Sequence, residues 1–264
     1  MKKLVCLKPS QSKRLIAILI ARLPMIQEKM QKGNIFVTKG TTQGYILEEL
    51  IKISKSEYSF KKPDFVAGQI IPTEDHNGIG SLSVNPISWP EIHFKDGEIR
   101  EATDRVKCIQ RFKKGDIILK GGNALDYNGL VGVFLGSKTG GSIGSLIGLI
   151  KALGLKLLIP ITLEKLIDGD VVELSEILGM HEIDDPGKNS LKIGMMPISG
   201  TIMNEVTVLE SIFNINAYHV GSGGVGGMEG AITLLLEGSE SIIEEISIIL
   251  EKLENEPDFK PNRP

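Results

Sequence analysis

The sequence predicts an α/β fold: a mostly parallel sheet with helices on both faces and a β-rich insertion, followed by a small ferredoxin-like α+β domain. Short apolar runs with the composition of strands, such as 34–38 and 116–119, alternate with segments whose apolar residues recur at helical spacing. Such alternation is typical of parallel sheets covered by helices. A polar stretch at 182–190 then separates this pattern from a shorter one.

The chain begins with a predicted helix over 10–32, in which Pro24 either bends the helix or divides it. Gly33 ends this helix, and residues 34–38 form a predicted strand. A Lys-Gly-Thr-Thr turn at 39–42 leads into a second predicted helix over 43–53. A strand, a glycine turn and a helix in this order predict one βα unit.

Residues 64–112 are predicted to form the β-rich insertion. An apolar strand covers 65–71, and a hairpin over 92–100 turns at Asp96-Gly97, a pair favoured in two-residue turns. Alternating apolar residues over 106–112 predict a half-buried strand, on which Cys108 packs inward rather than acting as a nucleophile.

The α/β pattern resumes after the insertion. The predicted elements are strands over 116–119, 130–135 and 155–159, a helix that follows Gly140-Gly141-Ser142 and ends near 153, and a short helix from Thr162 to Leu166. After the polar stretch, the predicted order is strand, helix, strand, strand and helix, over 192–198, 203–213, 215–221, 230–237 and 239–254. The predicted domains are therefore 1–185 and 190–256, with a flexible tail over 257–264.

Composition narrows the class of protein. The chain has 264 residues, 41% of them hydrophobic and 24% charged, so it is globular rather than disordered. A net charge of −3 indicates no general attraction to nucleic acid. The two cysteines have no metal-type spacing, and no apolar run approaches the roughly 20 residues of a membrane span. We therefore expect a cytoplasmic protein that does not bind membranes.

The first candidate site is the turn Lys39-Gly40-Thr41-Thr42 between a strand and a helix. Backbone N–H groups at a helix N-terminus, with threonine hydroxyls and a lysine, are suited to bind phosphate or carboxylate. The alternative is a turn in which Thr41 or Thr42 only caps the helix.

Two further loops carry glycine after predicted strands. The loop Lys120-Gly121-Gly122-Asn123 allows a ligand to approach the backbone closely, and Gly140-Gly141-Ser142 precedes a helix. Since open α/β sheets bind ligands beyond the carboxyl ends of their strands, these loops and the first one are expected to form one site. In the alternative, the glycines serve only as turns.

Asp126 and Glu164 are the candidates for acid/base catalysis, since both follow predicted strands near these loops. Asp126 has the alternative of stabilising an Asx turn, and Glu164 with Lys165 the alternative of an exposed helix pair. No metal site is predicted, because Glu74-Asp75-His76 is more typical of a solvated loop than of a ligand set.

The glycine-rich segment 221–230 contains the spacing G-x-G-x-x-G after a predicted strand. A dinucleotide site needs a helix to begin at that loop, whereas Ala231–Leu236 has the composition of a strand. The segment is therefore predicted to be a hairpin loop. It either reaches over the crevice of the first domain, with His219 and Glu229 at its stems, or binds nothing.

The early Gly-Thr-Thr turn and the later segment Gly121–Gly129 resemble a superfamily of α/β proteins. It comprises ribose-phosphate isomerases, glucosamine-phosphate deaminases, CoA transferases, initiation factor 2B-like sugar isomerases and LUD-domain proteins. The resemblance covers about residues 33–165 and is greatest to the Gly-x-Asn-Ala loop of LUD-domain proteins. Asn123 stands where the initiation factor 2B-like isomerases carry a catalytic aspartate, so the chemistry of that aspartate is not implied.

From the loops and this resemblance, we expect the chain to bind a small anionic metabolite of the sugar phosphate or acyl-CoA type, with isomerase or transferase chemistry as an extension. The alternative is a non-catalytic metabolite sensor or a regulatory or assembly protein. A homo-oligomer is expected in either case, because small α+β domains with an open sheet edge commonly pair with copies of themselves.

Overall fold

The computed structural model describes residues 1–72, 80–85 and 89–262, which form a mixed α/β structure. The helices within these ranges are Pro9–Arg22 (α1), Pro24–Gln31 (α2), Thr41–Lys52 (α3), Arg105–Ile109 (α4), Gly141–Ala152 (α5), Val171–Ile177 (α6), Glu205–Ile212 (α7) and Glu240–Glu251 (α8). The strands are Lys2–Leu7 (β1), Asn34–Val37 (β2), Gly68–Ile71 (β3), Ser81–Val84 (β4), Glu91–Lys95 (β5), Glu98–Ala102 (β6), Ile117–Leu119 (β7), Ala124–Leu125 (β8), Val131–Leu135 (β9), Lys156–Pro160 (β10), Gly194–Ile198 (β11), Thr201–Met203 (β12), Asn216–Ser222 (β13) and Ile232–Glu237 (β14).

A six-stranded sheet lies at the centre, in the order β12-β10-β7-β2-β5-β6. The first four strands are parallel, with Phe36 opposite Ile118 and Ile118 opposite Leu157. Every residue of β2 and β7 is buried, which explains why these strands are continuous apolar runs rather than alternating ones. The prediction of an α/β fold with parallel strand pairs is confirmed.

The hairpin predicted at Asp96-Gly97 is confirmed, and both turn residues have the positive φ angles that such a turn requires, 52° and 83°. However, β5 pairs antiparallel with β2, so this hairpin extends the central sheet. It is not part of a separate insertion over 64–112. Among the described strands of the predicted insertion, β3 and β4 form a two-stranded ribbon separate from the other sheets.

One predicted strand in this region is wrong, and another is shorter than predicted. Residues 106–112 contain α4 instead, because the Asp104 carboxylate accepts a hydrogen bond from the Lys107 N–H and caps a helix. The strand predicted over 65–71 begins only at Gly68, after a 3₁₀ turn over Lys62–Phe65. By contrast, the division of the first helix at Pro24 is confirmed, with α1 ending at Arg22.

Strands from before the predicted domain boundary at 185–190 pair with strands from after it. β1 pairs with β14, and the small sheet β1-β14-β13 therefore joins both ends of the chain. After the boundary, β11 pairs with β9 and β12 with β10. Residues 190–256 thus do not form a ferredoxin-like unit of their own, because their first strands complete sheets built from earlier residues.

The tail that we predicted to be flexible is packed over its described part, 257–262. The ring of Phe259 lies 6.4 Å from that of Tyr45, and Asp258 accepts a 2.7 Å hydrogen bond from Lys8. Asn262 donates to Asp64 over 2.6 Å and accepts from the Gln69 side chain at its backbone oxygen. Hydrophobic and polar contacts together hold this segment against the body of the protein.

The amino-terminal end of the central sheet carries a buried hydrogen-bond network. The Asp116 carboxylate accepts bonds from the backbone and side-chain N–H groups of Asn34, over 3.1 and 2.6 Å. The Asn34 oxygen pairs with His93 Nε2, whose other ring nitrogen lies 3.4 Å from the Cys108 sulfur. Burial, with the nearby Arg100 and Lys95, lowers the pKa of His93 to about 4, so this ring is neutral at pH 7.

Candidate functional site

A cavity of about 310 Å³ lies at the carboxyl ends of the parallel strands. Its lining includes segment 39–43 after β2, segment 120–123 after β7, and Lys165 after β10. This is the edge at which open α/β sheets bind ligands, and the volume is at the lower end for small-molecule sites. All eleven residues predicted to bind ligand line this one cavity: Lys39, Gly40, Thr41, Thr42, Lys120, Gly121, Gly122, Asn123, Gly140, Gly141 and Ser142.

Two helices begin at the cavity. α3 starts at Thr41 and α5 at Gly141, and within the described chain no side chain caps either one. The first N–H groups of each helix therefore have no partner within the helix and carry its positive dipole end. Gly140 and Gly141 have φ angles of 73° and 61°, a backbone region that favours glycine. Both helix starts provide donors for an anion.

Lys39, Lys120 and Lys165 provide positive charge, and no acidic residue is among the described residues that line the cavity. The Lys120 ammonium donates to the Gly121 carbonyl over 2.9 Å, and the Lys165 ammonium to the Gly122 carbonyl over 2.8 Å. Neither has a carboxylate partner among the described residues.

The two buried lysines have perturbed acidity. Burial, with repulsion from Lys165, lowers the pKa of Lys120 to about 8. Burial and the nearby Lys13 likewise lower the pKa of Lys165 to about 8, although Glu164 and Glu205 act in the opposite direction. Both amines are still mostly protonated at pH 7, and neither has a direct carboxylate partner among the described residues.

Gln43 is a member of the site that the sequence did not predict. Only 2% of its surface is exposed, it lines the cavity, and its Nε2 has no hydrogen-bond partner in the described structure. A β carbon on Gly121 would lie 2.5 Å from this nitrogen, and one on Gly40 would also collide with the amide. The Gln43 amide therefore lies between the two loops, in space that the absence of side chains at positions 40 and 121 leaves open.

Asn123 and Gly122 shape the second loop. The Asn123 side-chain oxygen accepts a 3.0 Å hydrogen bond from the Phe134 N–H, and the Asn123 backbone N–H donates to the Gly132 carbonyl. A β carbon on Gly122 would collide with the Val131 side chain. This loop therefore packs directly on β9, and only glycine fits at position 122.

Asp126 does not line the cavity. One of its carboxylate oxygens accepts 2.9 Å bonds from the N–H groups of Asn128 and Leu130, and the other a 3.2 Å bond from that of Val171. These contacts correspond to the alternative reading, an Asx turn, and they leave the buried carboxylate with a structural role.

Glu164 also lies outside the cavity lining. Its carboxylate accepts bonds from Lys13 over 2.6 Å and from the Thr162 hydroxyl over 2.8 Å. Burial alone would raise the pKa of Glu164, but Lys13 outweighs this effect and holds the pKa below its ordinary value. Burial also raises the pKa of Glu205, to about 7. One oxygen of the Glu205 carboxyl group accepts a hydrogen bond from the Leu163 N–H.

The rest of the lining combines apolar side chains with the polar Gln69, Ser83 and Ser137. Ile70, Leu82 and Val84 come from the β3-β4 ribbon, Val133 and Phe134 from β9, and Leu191 and Ile193 from the segment before β11. These elements are distinct from the strand ends that supply the lysines.

The segment 221–230 connects β13 to β14, so it is the hairpin loop that we predicted, and no helix begins there. Its residues are absent from the lining of the cavity. His219 pairs with the Ser222 hydroxyl over 2.9 Å, and Glu229 accepts from the Gly227 N–H. Both stem residues therefore make local contacts.

The described residues contain no cluster of three or more acidic, histidine or cysteine side chains that could hold a metal ion, and Glu74-Asp75-His76 lies outside them. None of the helices in the described ranges is both long and apolar enough to cross a bilayer. Comparison with protein-family models and with curated protein sequences gives no match for this chain. The resemblance to the isomerase and transferase superfamily therefore stays a prediction.

Proposed function

We propose that this protein binds a small metabolite through an anionic group in the cavity at the carboxyl edge of the central sheet. One observation carries the proposal: two uncapped helix N-termini and three lysines meet in a cavity whose described lining holds no acidic side chain. Burying cations without a counter-charge costs free energy, which a bound anion would recover.

The size of the cavity favours a compact ligand. A volume of about 310 Å³ fits a phosphate ester or a carboxylate of modest size. Sugar phosphates and acyl-CoA esters, the classes that the family resemblance implies, share the anionic group that this proposal requires.

The positions of the carboxylates bear on the chemistry. Asp126 and Glu164 lie outside the lining, so a reaction in the cavity would draw on Lys120 or Lys165 for proton transfer. Their pKa values of about 8 are close to the pH at which proteins work, which favours such a role. Isomerase or transferase activity is thus the second candidate, and a non-catalytic sensor would use the same binding step.

The test is calorimetric titration of the full chain with inorganic phosphate, methyl phosphate and acetate at pH 7. The double variant Lys120→Met/Lys165→Met should bind phosphate at least about 100-fold more weakly, because each lysine would contribute a charge-assisted hydrogen bond worth about 1.5–3 kcal/mol. Lys114→Met removes one exposed lysine remote from the cavity and should bind as the parent does.

Two results would contradict the proposal: failure of the unmodified protein to bind any of these anions at millimolar concentration, or equal affinity of the double variant and the parent. Circular dichroism and thermal unfolding establish that each variant is folded before its affinity is compared.

A further inference from the structure

The β3-β4 ribbon has an unusual distribution of side chains. The pairing of Ile70 with Leu82 and of Gly68 with Val84 places Ile70, Leu82 and Val84 on one face. Ile70 and Val84 are 66% and 60% exposed, although both line the cavity. An exposed apolar face is costly in water unless something covers it.

The opposite face of the ribbon is largely polar, with Gln69, Ser81 and Ser83 beside the buried Ile71. Gln69 and Ser83 also contribute to the lining of the cavity. Gln69 and Ser83 pair across the two strands, and each keeps one buried side-chain oxygen without a partner in the described structure. Gln69 also donates to the Asn262 backbone over 2.8 Å. The ribbon thus buries polar groups and exposes apolar ones, the reverse of the usual arrangement, and its apolar face borders the candidate site.

The apolar surface continues beyond the ribbon. Val133 and Phe134 of β9, with Leu191 and Ile193, line the same cavity. Leu191 donates its backbone N–H to the Leu82 carbonyl, and the Ser190 hydroxyl accepts from the Leu82 N–H. These bonds hold the ribbon beside the segment before β11, so the apolar side chains form one wall.

We propose that the ligand is an amphipathic anion, whose charged group lies among the lysines and helix N-termini and whose short aliphatic body lies on the wall formed by Ile70, Val84 and Phe134. This inference rests on the proposed function and specifies the class of ligand. A polyol phosphate in the same position would place its hydroxyl groups against Ile70, Val84 and Phe134, whose side chains form no hydrogen bond with them.

The experiment is a calorimetric series on the full chain with methyl, propyl and hexyl phosphate, and with glycerol 3-phosphate beside propyl phosphate. Affinity should rise by up to about fourfold per methylene group that becomes buried. Propyl phosphate should bind more tightly than glycerol 3-phosphate, which has the same carbon skeleton with two added hydroxyls.

Two variants test whether the gain in affinity along the series comes from contacts with the apolar wall. In Ile70→Ser/Val84→Ser, the ratio of hexyl to methyl phosphate affinity should fall toward one. Ile248→Ser, at an exposed apolar position on α8 outside the cavity lining, should keep the ratio of the parent.

The outcomes separate the two proposals. If methyl phosphate binds but affinity is flat along the series, or glycerol 3-phosphate binds more tightly than propyl phosphate, the amphipathic ligand is refuted and the anion site stands. An unchanged ratio in the double serine variant also refutes it. If neither the phosphates nor acetate bind, the proposed function itself fails, and this inference fails with it.

Discussion

Lys120 and Lys165 show how single residues differ in what they contribute to folding and to binding. Each ammonium donates a hydrogen bond to one backbone carbonyl and has no carboxylate partner in the described structure. The pKa of each amine falls from 10.5 to about 8. Below pH 8, keeping each protonated amine in the folded protein therefore costs roughly 3 kcal/mol relative to the unfolded chain. We interpret these lysines as residues retained for a ligand at the expense of stability.

This cost predicts how stability depends on pH. Because the folded-state pKa values lie below the value near 10.4 of an unfolded chain, the unfolded state binds more protons between about pH 8 and 10. The free energy of unfolding should therefore rise as pH increases from 7.5 to 9.5 in buffers free of phosphate. Urea unfolding at closely spaced pH values measures it.

The variant Lys120→Met isolates the contribution of Lys120 to the pH dependence of stability. It should raise the free energy of unfolding at pH 7 by roughly 1–3 kcal/mol and make the rise with pH shallower, since one of the two buried amines is gone. Lys114→Met should leave both unchanged. A pH slope in Lys120→Met equal to that of the parent would show that Lys120 is not the source.

The site residues differ in how far the sequence could predict them. Glycines directly after apolar strands mark places where a backbone approaches a ligand or another loop, so segments 39–42 and 120–123 were accessible to prediction. Lys165 was accessible as well, since its place after a predicted strand, beside Glu164, puts it at the same edge of the sheet. The part played by Gln43 was not, because it depends on the turn of α3 that points its side chain toward Gly121.

At the scale of elements, the local sequence predicted whether a segment forms a helix or a strand better than it predicted which strands pair. Pro24 divides the first helix and Asp96-Gly97 turns a hairpin, because both effects act within a few residues. The short helix α4 was missed because its Asp104 cap outweighs an alternating apolar pattern. The pairing of β1 with β14 joins residues more than 220 positions apart, and no local pattern encodes such a choice.

The C-terminal segment provides a prediction at this scale. Phe259→Ala should lower the free energy of unfolding by about 1–2 kcal/mol, because the half-buried ring packs against Tyr45. Lys260→Ala, at an exposed neighbouring position, should have an effect below 0.5 kcal/mol. Equal stability of the two variants and the parent would mean that the tail is not packed as described. Urea denaturation provides the comparison.

The whole molecule is interlocked by its strand pairing. Strands from before residue 185 and after residue 190 pair in all three of the larger sheets. One continuous hydrophobic core includes Leu15 of α1, Ile118 of β7 and Ile246 of α8. Cooperative unfolding of the full chain follows from this arrangement.

Separate expression tests this interlocking. Fragments 1–185 and 190–264 should each fail to unfold cooperatively, because 1–185 leaves β1 and β10 without β14 and β12, and 190–264 leaves β14 without β1. Mixing or co-expressing the two fragments should restore a cooperative transition. A fragment that melts cooperatively alone would support the two-domain division predicted from the sequence.

The central sheet uses its two ends differently. At the amino ends of the parallel strands, Asp116, Asn34 and His93 satisfy one another. At the carboxyl ends, no side chain of the described structure caps α3, and the Gln43 Nε2 has no partner there. Changes in the loops at the open end can therefore alter what is bound without weakening the strands that carry them. The ligand preference of such a scaffold is free to diverge while its fold is preserved.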